Sequence, residues 1–72
     1  MKKTYAMEDL DCAVCAAKME DAISKLEGVH SVSISYVLQQ ITIDAQEDKL
    51  PQIMKQAQKV CKRVERNCRI IL

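Results

Sequence analysis

The apolar residues of this chain switch between a two-residue and a 3.6-residue period, and the order of those switches restricts the fold more than any other feature. Lys3 to Met7 contains Thr4, Tyr5 and Met7 and reads as a short first strand. From Val14 to Glu27, Cys15, Met19, Ala22, Ile23 and Leu26 recur at helical spacing, and Gly28 follows as a helix stop. Val29 to Val37 alternates: Val32, Ile34 and Tyr36 fall on one face, Ser31, Ser33 and Ser35 on the other. Leu38-Gln39-Gln40 makes a turn, and Ile41 to Ala45 alternates again to complete a hairpin. Asp48 is placed as an N-cap with Pro51 in the first turn behind it. Leu50, Ile53, Met54, Ala57, Cys61 and Val64 then form a second helical stripe, and Arg69 to Leu72 a last strand.

The order is βαββαβ. With right-handed crossovers it closes into an α+β, ferredoxin-like sandwich, a four-stranded antiparallel sheet with two helices on one face. The third strand should lie between the first two, and the fourth beside the first. The segments carrying Cys12 and Cys68 should then be neighbours at one end of the sheet. The whole chain, 1–72, is read as one domain, and at this size a single core leaves no room for a deep substrate pocket. Function is expected on the surface and without catalysis.

Eleven Lys and Arg against ten Asp and Glu give a net charge of +1, which excludes nucleic acid as the main partner. The basic group Lys59, Lys62, Arg63, Arg66 and Arg69 is read as a solvated face, with docking of an acidic partner as the sharper alternative. No segment is long and apolar enough to cross a membrane, so no membrane contact is expected. Met1-Lys2-Lys3-Thr4 begins like a signal peptide, but Glu8, Asp9 and Asp11 interrupt where its apolar region should follow. The chain is therefore expected in the cytoplasm, where four cysteines point to metal or redox chemistry more than to disulfides.

Cys12-Ala13-Val14-Cys15 falls where the first strand hands over to the first helix. Two thiols so spaced can converge on one ion, and the free N–H groups of a helix start favour the thiolate, which is the ligand form. Thioredoxin-like redox chemistry also uses this spacing, but in a longer fold whose site leans on a proline; here Pro51 belongs to the second helix. A structural zinc site using all four cysteines is disfavoured by the wide gap between Cys61 and Cys68. Cys61 lies on an apolar stripe and is assigned to the core. His30, at the far end of the helix from Cys12, is read as a turn residue.

Leu10-Asp11-Cys12-Ala13-Val14-Cys15-Ala16-Ala17-Lys18-Met19-Glu20, followed by Leu26-Glu27-Gly28-Val29-His30-Ser31-Val32, resembles the heavy-metal-associated domain. That family includes copper chaperones and the cytosolic N-terminal domains of metal-transporting P-type ATPases. The resemblance extends over nearly the whole chain and implies Cys12 and Cys15 as ligands in a surface loop. The family usually has Gly-Met where this chain has Asp9-Leu10. Leu10 can serve as the core plug, whereas Asp9 replaces a flexible glycine and should reshape the loop.

Asp11 before the first cysteine resembles the zinc, cadmium and lead exporters. A divalent ion wants more than two donors and accepts a carboxylate oxygen, whereas Cu(I) is content with two thiolates. Asp11 is thus a candidate third ligand; its alternative role is the helix N-cap. Cys68 is a candidate third thiolate, or else simply the inward first residue of the last strand, and Glu65 in the same turn is a further oxygen donor. The expected function is to bind one zinc, cadmium or lead ion and to deliver it to, or regulate, an exporting P-type ATPase. The alternative is a free-standing Cu(I) chaperone of the same fold, and an interaction module with incidental cysteines is the third reading. Partners would be other domains of the transporter or a metal-donor protein. The domain is read as a monomer, with a metal-bridged dimer available if two loops share an ion.

Overall fold

Alternation along Gln40–Ala45 places Ile41, Ile43 and Ala45 on one face, and all three are sealed from solvent while Gln40, Thr42 and Asp44 are not. In the computed structural model, which describes residues 1–72, this strand is β3. Around it form β1 (Lys2–Glu8), α1 (Ala13–Ser24), β2 (Val29–Ser35), α2 (Leu50–Val64) and β4 (Arg69–Ile70). The sheet order is β2-β3-β1-β4, with every neighbouring pair antiparallel. The two helices pack against each other on one side of the sheet. This is the βαββαβ sandwich that the periodicities predict.

The core is the meeting of three apolar faces. Helix α1 contributes Ala16, Met19 and Ile23, and α2 contributes Leu50, Ile53, Met54, Ala57 and Cys61. The sheet adds Met7, Ile41, Ile43, Ala45 and Ile70, and the loops before α1 and β4 add Leu10 and Cys68. No charged or polar residue is buried. Cys61 is fully buried, as its place on the apolar stripe requires.

Several element ends differ from expectation, each for a local reason. Helix α1 stops at Ser24, not Glu27, because the chain tightens: Leu26 N–H donates to the Ile23 carbonyl and Val29 N–H to the Leu26 carbonyl. Gly28 is therefore not the immediate helix stop. It adopts φ 92° in the turn into β2, where a Cβ would lie 3.1 Å from Lys49 Cδ and 3.2 Å from Ile53 Cδ1. Strand β2 ends at Ser35, so Tyr36 belongs to the hairpin turn and not to the strand face. That turn closes on Gln39, whose φ is 55°. His30 lies within β2, at the irregularity between the Val29 and Ser31 pairings, and not in a turn.

Asp48 does not cap α2. It sits inside a 3-10 turn, Glu47–Lys49, that leads directly into the helix, and Lys49 at the cap position makes no side-chain bond. Pro51 does stand in the first turn. Strand β4 is two residues long instead of four, extended only by the Ile71 N–H donating to the Ala6 carbonyl at 2.8 Å. Lys59, Lys62, Arg63, Arg66 and Arg69 are all exposed, and Arg69 pairs with Glu8 across β1 and β4.

Candidate metal centre

Cys12 is the N-cap of α1. Its backbone is extended, at φ −136° and ψ 117°, and its carbonyl already accepts the first helical hydrogen bond, from Ala16 N–H at 3.0 Å. The cap itself is sulfur: the Cys15 N–H donates to Cys12 Sγ at 3.2 Å. Asp11 therefore does not cap the helix, and that alternative is overturned. Its carbonyl accepts a long hydrogen bond from the Tyr36 hydroxyl at 3.4 Å, while its exposed carboxylate engages no hydrogen bond or ion pair.

The two cysteines of the loop divide their protons unequally. The Cys15 thiol, followed by the backbone N–H of Cys15, favours the anion at Cys12 and holds its thiol below the ordinary value. The same sulfur–sulfur contact, with some burial and the negative charge of Cys12, pushes Cys15 up. The two shifts run in opposite directions, and both sulfurs are partly exposed. A dithiol so placed can offer both sulfurs, as thiolates, to a soft cation.

Cys68 lies just ahead of β4, fully buried and facing inward. The antiparallel pairing of Met7 with Ile70 and Glu8 with Arg69 carries Cys68 to the level of Asp9, so the two loops are neighbours as the topology predicts. Burial first, then the charges of Glu65, Asp9, Asp11 and Cys15, push the Cys68 thiol up. Glu65 is half-buried at the end of α2, where its negative charge opposes ionisation of Cys12, Cys15 and Cys68 alike. Burial drives Cys61 up to about 12. Sequence reasoning thus places five candidate donors at one end of the sheet, but no three of the His, Cys, Asp and Glu side chains converge as a ready ligand set. Cys12 and Cys15 form the pair; the charge of Glu65 reaches both, and that of Asp11 reaches Cys68.

The rim of the site is apolar and open. Val14, between the two cysteines, is 64% exposed, and so in part is Tyr36, whose hydroxyl donates to the Asp11 carbonyl. Neither surface hollow, one beside Lys49 and Ile53, the other beside Pro51 and Leu72, is lined by a cysteine. Sequence reasoning missed Gln39. Its side-chain amide accepts from Leu10 N–H at 3.0 Å and donates to the Leu10 carbonyl at 2.6 Å and the Tyr36 carbonyl at 2.9 Å. Nothing local in Leu38-Gln39-Gln40 signals a contact 29 residues away.

A βαββαβ sandwich with an open dithiol at the start of its first helix defines a class of small, non-catalytic metal-binding modules. The model of the heavy-metal-associated domain matches residues 4–63, and the chain belongs to that family. It is 32% identical over 56 residues, 78% of its length, to the zinc/cadmium/lead-transporting P-type ATPase of Shigella sonnei (strain Ss046). It is 35% identical over 51 residues, 71% of its length, to the probable copper-transporting ATPase PacS of Synechocystis sp. (strain ATCC 27184 / PCC 6803 / Kazusa). The matched segments cover only 8% and 7% of those two relatives. Among solved structures, the N-terminal domain of the copper(I) ATPase PacS in its apo form superposes with a TM-score of 0.75 at 25% identity, over 100% of this chain and 92% of that one. No helix here is long and apolar enough to cross a membrane.

Proposed function

We propose that this domain carries one zinc, cadmium or lead ion between Cys12 and Cys15, completed by Asp11, and delivers it within a metal-exporting P-type ATPase of the cytoplasmic membrane face. The observation that carries the reading is the free carboxylate of Asp11. Because the Cys12 sulfur caps the helix, the Asp11 side chain has no structural duty, and it is adjacent in the chain to the first cysteine. A divalent ion gains an oxygen donor from it, whereas Cu(I) gains only an uninvolved negative charge. Similarity to the zinc/cadmium/lead-transporting relative supports the same choice.

Transfer runs by ligand exchange. A thiolate of the partner forms a new metal–sulfur bond as the bond to Cys15 breaks, and Cys15, whose proton is the harder of the two to remove, takes a proton on release. The Asp11 oxygen is then released, and a second partner thiolate replaces Cys12, whose bond breaks last. Partial exposure of both sulfurs leaves room for that attack. The partner is another domain of the transporter or a metal-donor protein, and a loop shared with a second copy gives a metal-bridged dimer.

The second reading is a Cu(I) chaperone. It is supported by the PacS relative and by the absence of a gathered third donor. Asp11→Ala separates the two. Under the divalent reading it weakens zinc and cadmium binding about ten-fold, measured by chelator competition, and leaves Cu(I) binding alone. Unchanged divalent affinity transfers the assignment to Cu(I). For cadmium and lead, Cys68 and Glu65 are proposed as supplementary donors, reached when the loop before β4 opens. Cys68→Ser then removes about a third of the sulfur-to-cadmium absorbance, and undiminished absorbance leaves Cys68 in the core.

A further inference from the structure

We propose that Gln39 is a positioning residue for the metal loop: its side-chain amide clamps both backbone groups of Leu10 and thereby sets the geometry from which Asp11 and Cys12 start. The inference rests on Cys12 and Cys15 being the ligands. Leu10 is 1% exposed and lies past the last residue of β1, so the sheet offers its N–H and carbonyl no partner strand. A buried peptide group without a partner is costly. The Gln39 amide supplies what a strand would, accepting at 3.0 Å and donating at 2.6 Å.

The clamp is itself held. The Gln39 carbonyl accepts from Met7 N–H at 2.8 Å, and the amide's second bond goes to the Tyr36 carbonyl at 2.9 Å. Ala6 pairs with the adjacent Gln40, so the turn is tied to the end of β1. Gln39 keeps this place at φ 55°, a backbone conformation that glycine would adopt with less strain. Two residues beyond the clamp, Cys12 must stay extended for its sulfur to meet the Cys15 N–H. Release of Leu10 lets the loop sample other conformations, and the apparent affinity for metal falls in proportion to the competent fraction.

Two variants separate positioning from stability. Gln39→Met keeps the side-chain length, the strained backbone and the apolar stem but loses the amide. Gln39→Gly loses the amide and relieves the backbone. Cadmium affinity is measured for each by chelator competition, beside thermal melting and the amide resonances of the metal-free chain. Both variants should bind Cd(II) about ten-fold more weakly, although Gln39→Gly melts higher than Gln39→Met. The Leu10 and Cys12 amide resonances should shift or broaden while those of Thr42 and Ile43 hold. Wild-type affinity in Gln39→Gly, or affinities that follow the melting temperatures, would show Gln39 to be only a structural turn residue. A wild-type chain that gives no thiolate-to-cadmium absorbance overturns the metal reading itself, and the positioning role with it.

Discussion

Asp9 carries φ 59°, a left-handed conformation that residues with a Cβ seldom adopt and that Asp tolerates better than most. Its family usually has glycine at this place, and the aspartate was expected to reshape the loop. Instead the backbone keeps a glycine-like angle, and Leu10 behind it is buried as the plug under the cysteines. The side chain yields to the loop because Leu10 has to reach the core and meet Gln39 at the same time. Asp9→Gly should therefore raise the melting temperature, and Asp9→Val should lower stability by about 1 kcal/mol, read from thermal and urea denaturation. Equal stability of the two variants would remove strain at Asp9 from the account. Residue identity alone did reveal Cys12, Cys15 and Asp11 as candidates, since spacing and chemistry are local. That a sulfur and not a carboxylate caps α1 was hidden, because Asp is the more usual cap and only the backbone angles put Cys12 at that position.

At the scale of elements, both outer strands have their free edges met by helix side chains. Glu20 on α1 accepts from the Ile34 N–H of β2 at 3.1 Å. Gln58 on α2 accepts from the Ile70 N–H of β4 and donates to the Ile70 carbonyl, each at 2.8 Å. An edge covered this way is a poor template for pairing with another chain. It also explains how β4 holds with only two residues: Ile70 is bonded on the α2 side and buried beneath it. Gln58→Ala should cost about 1–2 kcal/mol and speed hydrogen exchange at Ile70 while leaving β2 exchange unchanged. Uniform acceleration across the sheet would mean that the bond supports the whole fold and not the edge. The helices and inner strands were legible because their periods run over many residues. The ends were less so, since the tight turn after α1 and the 3-10 turn before α2 depend on what each segment packs against.

The whole molecule keeps two kinds of thiol apart. Cys12 and Cys15 face solvent at one end, and Cys61 and Cys68 are sealed in the core. An unfolded chain releases thiol protons near 9, whereas burial holds the proton of Cys61 in the folded state up to about 12. Between those values the unfolded state binds fewer protons at this thiol, so the part of folding stability linked to Cys61 is complete below pH 9 and is lost as the pH rises toward 12. Cys68, raised chiefly by burial, acts in the same direction. Cys61→Ala should shallow this alkaline decline, compared by urea denaturation at neutral pH and near pH 10. Identical pH slopes for variant and wild type would exclude the buried thiol as a cause.

The order of periods along the chain was enough to specify the sandwich and its strand order, because an apolar face at period two or 3.6 must find another to cover it. The same local chemistry marked the dithiol. Contacts between distant segments decided the rest: the turn that grips Leu10, the side chains that close the sheet edges, and the failure of Asp11, Glu65 and Cys68 to converge with the cysteine pair. Topology brings such groups to one end of the sheet, but whether they meet depends on side-chain directions set by packing, which no pattern along the chain encodes.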